Sequence, residues 1–530
     1  MEEKFDGDGI TKRSNDRINN FNSSEQMLKD VESASSISPF VFFTAFTVAV
    51  GGFMFGYDTG IISSAMLLLE KDFPMTSVTK GLVVGATTFG AIFSSIFAGA
   101  LSDIAGRRIT TMVAATLFVC GALVLSLAPS YSSLLIGRLI VGIAVGLASM
   151  VVPIYISEIS PRFYRGRLVT INVLMCTGGQ LISYLIATAF IFQHGWRWMF
   201  GVSVIPPFLQ LLFMPIVPES PRFLVRKGRT EEAKKVLAKI YPGAPREFLN
   251  DEIDVIYETI AQDATGSYKQ LFFYPNLRPL IIACGLQLFQ QFSGFDTAMY
   301  YGATIMKMAG FTDIRDAIIF SILVSATNFA MTVVALYLID RVGRRRILLY
   351  TLFGTVVGLV LLGIGFIFVT GLVPKQDTCA DYGTRCGACL IDDRCGFSKL
   401  KDVCVDKTLS SDQLYDSCPS TSIRGNWFTL SSLVVFVAAY ALGIGHAPWT
   451  IQSEIFPLNV RGRANGIATA TNWCVNLVVA ITFLPLTELI TVSATFWMYG
   501  VFMIFGWLFV YLMVPETTGK SLEEIQELFL

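Results

Sequence analysis

This sequence predicts an all-α membrane protein of twelve transmembrane helices arranged as two six-helix halves. Three observations carry that fold class: a composition suited to lipid, twelve apolar windows of spanning length, and a repeat that pairs the first half of the chain with the second. Of 530 residues, 53% are hydrophobic and 15% charged, with a mean hydropathy of +0.58. Hydrocarbon is the natural solvent for such a chain. Lys+Arg and Asp+Glu number 40 each, so no net field recruits nucleic acid or an anionic surface.

The elements follow in order. Residues 1–38 are polar and predict a disordered cytosolic tail. They lack the charged-then-apolar layout of a cleaved signal peptide, so the first span is expected to stay in the protein. A hydrocarbon core of ~30 Å needs about 20 apolar residues per helix. Such windows fall near 40–69, 81–101, 109–128, 132–156, 168–193 and 198–217, then 278–306, 316–338, 347–370, 427–452, 463–488 and 494–514. The first six define an N-terminal half, 39–217, and the second six a C-terminal half, 278–514. The charged segment 218–277 between them is a cytosolic linker with amphipathic helices at 230–239, capped by Thr230, and at 247–262. A Cys-rich loop, 371–426, is inserted between the ninth and tenth spans, and 515–530 is a second cytosolic tail.

The repeat is explicit. Asp103-Ile-Ala-Gly-Arg-Arg108 recurs as Asp340-Arg-Val-Gly-Arg-Arg345. Ser157-Glu-Ile-Ser-Pro-Arg-Phe-Tyr-Arg-Gly-Arg167 recurs as Ser453-Glu-Ile-Phe-Pro-Leu-Asn-Val-Arg-Gly-Arg463, and Pro218-Glu219 as Pro515-Glu516. The offsets are 237, 296 and 297 residues, so the second copy gained a segment between its third and fourth spans, where the Cys-rich loop lies. Two parallel six-span copies follow. Loops after even-numbered spans carry Arg107, Arg108, Arg162, Arg165, Arg167, Arg341, Arg344, Arg345, Arg346, Arg461 and Arg463, while the short opposite loops offer chiefly Lys71, Lys80, Arg197, Lys307 and Arg315. The positive-inside bias therefore predicts a multi-pass protein with both termini cytosolic and the 371–426 loop outside, with the plasma membrane as its expected home.

Over residues 40 to 530 the chain resembles the sugar porter branch of the major facilitator superfamily. The motifs that carry the resemblance are Gly51-Gly-Phe-Met-Phe-Gly-Tyr-Asp-Thr-Gly60, Gly137-Arg138, Pro153-Ile-Tyr-Ile-Ser-Glu158 through Arg167, Pro218-Glu-Ser-Pro-Arg222, Gln290-Gln291 and Pro515-Glu-Thr-Thr-Gly-Lys520. The resemblance implies a rocker-switch transporter with a central site between the halves. It implies no enzyme activity and no cofactor other than a proton as coupling ion; no nucleophile, metal triad or phosphate loop stands out in the sequence.

Two charges lie at membrane depth: Asp58 in the first span and Arg138 in the fourth. An ionised group there costs ~2.5–3.5 kcal/mol on insertion scales, so both are expected to face the bundle interior and find partners. Arginine does not lose its proton, which makes Asp58 the group able to switch. A structural ion pair locking helix one to helix four is the competing reading. The resemblance favours proton coupling, since proton-coupled sugar porters carry Asp at the position of Asp58.

A polyol presents hydroxyls and little charge, so its site needs amides as donor and acceptor pairs plus an aromatic face. The seventh span supplies Gln287, Gln290 and Gln291, and Gly294 offers a point where the helix can open. By resemblance, Gln180, Gln290, Gln291, Asp296, Trp449, Asn472 and Trp473 match sugar-contacting positions; ordinary interhelical hydrogen bonding is the alternative. Asp296 stands where the family commonly has Asn, and is read as a strong polyol acceptor, a second titrating group or a site for a cationic solute. His446 departs from the usual Gly-Pro of the tenth span, and packing competes with a proton role there.

A cytosolic gate is expected from Asp103, Arg107, Arg108, Glu158, Arg165 and Arg167 in the first half and Asp340, Arg344, Arg345, Glu454, Arg461 and Arg463 in the second. If Glu158 and Glu454 pair with these arginines to close the inner gate, they favour an outward-open form; the same arginines also obey the topology rule.

Cys379, Cys386, Cys389, Cys395, Cys404 and Cys418 crowd the outer loop. An even count on an oxidising face implies a disulfide module of open connectivity, with zinc at Cys386-Gly-Ala-Cys389 as the rival. The pattern resembles the plexin-semaphorin-integrin type module in the same loop of inositol transporters from animals and plants. It offers a surface for an extracellular partner or a cap for the vestibule. The expectation is a proton-coupled symporter of myo-inositol or a related cyclitol, with a hexose carrier, proton-coupled or facilitative, as the alternative and a non-transporting nutrient sensor as a third.

Overall fold

In the computed structural model the described residues are 38–161, 164–264, 267–311, 313–370, 378–383, 386, 389, 394–406, 414–415, 423–518 and 522–529. Arg162, Cys418 and the side chain of Asp340 lie outside them. The first half opens with five long helices, α1 (Pro39–Asp72), α2 (Ser77–Ala105), α3 (Arg107–Ser126), α4 (Tyr131–Ile159) and α5 (Arg165–Ala187). Pro39 starts α1 where a missing N–H costs nothing. Thr76 caps α2, and a Ser130–Ser133 capping box starts α4.

The sixth span is divided into α6 (Gly195–Val202) and α7 (Ile205–Phe213). Pro206 and Pro207 carry no backbone N–H, so the chain tolerates them in the first turn of a new helix and not inside a continuous one. The linker holds α8 (Pro221–Arg226), α9 (Thr230–Ile240) and α10 (Arg246–Ala264). Thr230 is the first helical residue of α9 and does not cap it. Arg229 occupies the cap position without a side-chain cap bond, and the Thr230 hydroxyl meets Tyr257 Oη at 3.0 Å.

The second half begins with a span in three pieces: α11 (Leu277–Phe292), α12 (Phe295–Tyr300) and α13 (Gly302–Met308). Gly294 makes the first break. Its φ of 73° is left-handed, and the Tyr499 ring packs so closely that a Cβ would collide with it. Then follow α14 (Ile314–Val342), α15 (Arg344–Thr370), α16 (Ile423–Leu442), α17 (Ala447–Glu454), α18 (Leu458–Leu489), α19 (Val492–Met513) and the short α20 (Leu522–Glu527). Among the described residues ten helical segments are long and apolar enough to cross a membrane. With the two interrupted spans they make up the twelve-span topology.

Residues of opposite character are sorted inside out. Phe93, Ile96, Phe97, Phe208 and Leu212 are exposed, whereas Asp58, Arg138, Gln287, Gln290 and Asn472 are buried. Lipid solvates the former and only the bundle interior can satisfy the latter. Within the first half α1 packs on α5 and α2 on α4, and within the second α15 packs on α16 and α19. The halves meet where α2 lies against α18, α5 against α14, and α1 against α12 and α13.

The inserted loop has its own small core of Cys379, Tyr382, Cys389, Cys395, Phe397 and Cys404. Strand β1 (Cys395–Ser398) pairs antiparallel with β2 (Cys404–Asp406) on one side and β3 (Leu414–Tyr415) on the other. Disulfides join Cys379 to Cys395 and Cys389 to Cys404, and Cys386 is also disulfide-bonded. With cysteines 386 and 389 both in disulfides, they do not form the zinc pair their spacing allowed. A segment this small cannot bury enough apolar surface alone, and each cross-link contributes about 2–4 kcal/mol.

Candidate functional site

The first half contributes a buried ion pair. Arg138 on α4 is 0% exposed, Asp58 on α1 is 6% exposed, and the Arg138 Nη1 to Asp58 Oδ1 distance is 2.5 Å. Arg138 Nε donates to the Val83 carbonyl at 3.1 Å, while its Nη2 is buried without a partner. One carboxylate thus neutralises a guanidinium that has only one other donor satisfied by the protein. Removing the Asp58 charge would leave Arg138 underpaired, so the pair's two states differ in more than local geometry.

The second half contributes amides. Gln287 and Gln291 lie one turn apart on α11 and face Asn472 and Asn476, one turn apart on α18. Asn472 Nδ2 donates to Gln287 Oε1 at 2.7 Å and to Gln290 Oε1 at 3.0 Å. Asn476 Nδ2 donates to Gln291 Oε1 at 2.9 Å and also to Asp296 Oδ2 on α12. Gln287 Nε2 donates to Gln452 Oε1 at 2.7 Å, and Gln290 Nε2 to the carbonyls of Ile444 and Gly445 at 2.9 and 3.0 Å. Those carbonyls are free because the helix breaks between α16 and α17. Gln287, Gln290, Asn472 and Asn476 each thus donate to another polar group of the protein.

Trp473 is buried with Nε1 unpartnered, edge-on to Phe55 of α1 at 5.6 Å between ring centroids. Trp449 is 40% exposed. Gln180 stands apart from the α11–α18 cluster: it accepts from Asn328 Nδ2 on α14 at 2.9 Å and so links the halves. Two further links, Tyr184 Oη to the Met299 carbonyl at 2.8 Å and Ala303 N–H to Ser63 Oγ at 2.9 Å, join α5 to α12 and α1 to α13. Gln452, Asn476, Asn328 and Tyr300, whose hydroxyl donates to Asn476 Oδ1 at 3.4 Å, were not singled out by the sequence. The i, i+4 relation of Asn476 to Asn472 was a usable signal.

At the end of the bundle that bears the arginine motifs, the two repeats build matching clusters. In the first, Arg107 Nε lies 2.9 Å from Glu158 Oε2 and its Nη2 donates to Oε1 at 3.0 Å, a forked pair, while Nη1 reaches Asp103 at 3.2 Å. Asp103 also pairs with Arg226 of α8 at 2.6 Å, and Arg108 Nη2 donates to the Pro215 carbonyl. In the second, Arg344 pairs with Glu454 at 3.2 Å, and Arg345 Nη2 donates to the Tyr511 carbonyl at 2.7 Å. Ser220 and Thr517 donate to Glu158 and Glu454 respectively.

These pairs stay inside one half, so each clamps its own half, and they do not form a bridge across the two. The reason is geometric: partners come from helix ends that adjoin within a repeat. Arg461 donates to the Phe456 carbonyl, Arg463 lies over the Tyr268 ring at 5.7 Å, Arg165 opens α5, and Arg167 lies two residues further on.

Glu219 and Glu516 complete the clusters. Glu219 Oε1 accepts from the backbone N–H groups of Arg107 and Arg108 at 2.9 and 3.2 Å, and Glu516 Oε1 from that of Arg345 at 3.4 Å. Each carboxylate sits at the N-terminus of a spanning helix, where the dipole and unpaired N–H groups favour an anion. Gly106 and Gly343, at φ 96° and 100°, leave room for it, since a Cβ would strike the carboxylate. Burial of Glu219 outweighs its hydrogen bonds and raises its pKa. In Glu516 burial also raises, but the bonds from Thr518 and the Arg345 and Arg346 N–H groups win and lower it.

The family pattern described as "Sugar (and other) transporter" matches residues 44–390 and 416–529. The chain is 37% identical to the proton myo-inositol cotransporter of Homo sapiens, covering 92% of this chain and 82% of that one. It is 38% identical to probable inositol transporter 2 of Arabidopsis thaliana, with 95% and 94% covered, and 38% identical to myo-inositol transporter 1 of Saccharomyces cerevisiae, with 93% and 79% covered. Among solved structures it is similar to the proton:xylose symporter XylE bound to 6-bromo-6-deoxy-D-glucose, with a TM-score of 0.71, 27% identity and 93% and 99% covered. It is also similar to a partially occluded inward-open conformation of XylE from E. coli, with a TM-score of 0.72, 26% identity and 91% and 100% covered.

Proposed function

We propose, for a chain that belongs to the sugar (and other) transporter family, that it carries myo-inositol or a related cyclitol across a membrane together with a proton. It is a transporter and not an enzyme, and it works by alternating access of a site between two six-helix halves. The similarity to relatives named as inositol carriers from an animal, a plant and a yeast supports the substrate class. The positive-inside distribution of arginines supports cytosolic termini, and the plasma membrane is the membrane we assign. The disulfide module then faces outward, where an oxidising medium keeps it cross-linked.

The single observation that carries the coupling is the buried Asp58–Arg138 pair. In one state the carboxylate is ionised against its guanidinium. In the other it holds a proton, and Arg138 is released to take different partners. The solute binds against the α11–α18 amides, with Trp449 and Trp473 offering aromatic faces to its C–H surface. The Tyr184–Met299 and Ser63–Ala303 links join the halves on the side of the Cys-rich loop. The arginine clusters keep each half rigid while the halves rock.

The test is electrical. In cells expressing the full chain, myo-inositol added at acidic external pH is expected to evoke an inward current, and Asp58→Asn to cut uphill accumulation sharply while solute exchange persists. Unchanged uphill uptake in that variant defeats the coupling assignment, and a glucose response that outcompetes inositol defeats the substrate assignment.

A further inference from the structure

The membrane interior holds a second carboxylate besides Asp58, and its surroundings are of a different kind. Asp296 opens α12 just beyond the Gly294 break, partly exposed, in the middle of the amide cluster. Its Oδ2 accepts from Asn476 Nδ2, and Gln291 also hydrogen-bonds to it. Among the described residues it forms no ion pair. The titratable groups that feel its charge are Tyr300 on its own helix, Cys176 on α5 and Tyr440 on α16. None of these is a cation at neutral pH. Arg138 and Asp58 act on the same Tyr300, but they are already paired with each other. Neutral amides therefore do all the direct work of stabilising this charge.

Amide donors sustain a carboxylate that water can also reach. They do not sustain one sealed from water, where the ionised form costs several kcal/mol with no counter-ion nearby. A transport cycle imposes that sequence on Asp296: the cavity is open and wet, then closed over the solute and dry, then open and wet on the other side. The least costly response is to bind a proton on closing and release it on opening.

Resting on the reading of this chain as a proton-coupled cyclitol carrier, we propose that Asp296 is a second proton-binding site, so that two protons accompany each solute molecule. The proton comes from water on the proton-rich side, converts the carboxylate to the neutral acid as the site occludes, and returns to water on the far side. No bond other than O–H forms or breaks. The neutral acid can also donate to a solute hydroxyl while Oδ2 keeps its bond from Asn476, which makes solute and proton loading mutually favourable.

The experiment is a stoichiometry measurement on the purified full-length protein in proteoliposomes. The membrane potential at which net myo-inositol flux reverses, at fixed inositol and pH gradients, gives the proton count irrespective of rate. Two protons per inositol are expected for the wild type and for Asp296→Glu, and one for Asp296→Asn. A wild-type count of one overturns the proposal, whether Asp296 stays neutral or stays ionised, and decides the matter even if Asp296→Asn does not fold. So does a wild type that prefers an amino-substituted, cationic polyol with one proton, since the solute would then supply the missing charge. If inositol moves no protons at all in the wild type, the symport reading itself fails.

Discussion

The two halves each bring one carboxylate to the middle of the membrane and treat it differently. Asp58 in the first half is matched by a guanidinium at 2.5 Å, itself anchored to the Val83 carbonyl. Asp296 in the second half is matched by amides alone. The difference is one of counter-charge: an ion pair holds its carboxylate against a fixed cation, whereas an amide lattice holds its carboxylate among neutral donors and acceptors of the kind an uncharged, hydroxyl-rich solute also offers. Duplicated halves with the same helix order have thus diverged at the centre. At the arginine-motif end they have stayed nearly alike, down to Ser220 and Thr517 donating to equivalent glutamates.

The largest effect should come from breaking the ion pair on the arginine side. Arg138→Leu leaves Asp58 buried without a counter-charge, a loss of about 3–5 kcal/mol, read as a fall in the detergent melting temperature. The double variant Arg138→Leu with Asp58→Asn should recover most of it. A double variant no more stable than the single one would mean that the pair is not where the stability resides.

On the second-half side, Asn476→Ala removes one donor from both Gln291 and Asp296. The expectation is an apparent myo-inositol affinity weaker by about 1.5–3 kcal/mol, roughly ten- to a hundredfold, with little loss of fold stability. Unaltered affinity would reduce the amide lattice to helix packing.

Smallest is the contrast between Glu219 and Glu516. The Glu219 pKa is raised in the fold, so its contribution to stability is present below the ordinary carboxylate range and declines as pH rises through that range to the raised value. The Glu516 pKa is lowered, so its contribution is present above the ordinary value and declines as pH falls below it. Glu219→Gln and Glu516→Gln should therefore change the slope of melting temperature against pH in opposite directions, each by under ~1 kcal/mol. Slopes that change in the same direction would contradict the difference between the two anchors.

How much of this the sequence discloses depends on how local each signal is. Asp58 and Arg138 declare themselves as lone charges in apolar runs, and the repeated Asp-x-x-Gly-Arg-Arg motif marks its own turns. Gln287, Gln290 and Gln291 are conspicuous for being crowded. Asn328 is a single amide in the long α14, Gln452 lies on the short α17, and Asn476 follows Asn472 by one turn on α18; membrane bundles use such amides freely, and the fold shows that Gln452 and Asn476 close the α11–α18 lattice while Asn328 bridges the halves. The breaks in the sixth and seventh spans have visible causes in Pro206, Pro207 and Gly294, but hydropathy averaged over twenty residues smooths them away. Thr230 shows the limit of capping patterns, since a favourable cap residue one place inside a helix reads the same as one at its edge. Which cysteine joins which shows only in the folded loop, where Cys395 on β1 bonds Cys379 and Cys404 on β2 bonds Cys389, and spacing alone does not encode it.

The cross-linked module between α15 and α16 also ties the carrier to the route by which it is made. Its disulfides form only where thiols are oxidised, so with the orientation proposed above the growing chain presents this loop to an oxidising compartment as it is made. Each copy that leaves that compartment carries a chemical record of having been threaded in the right direction. A reductant given during synthesis should cut the number of mature carriers far more than the same reductant given afterwards.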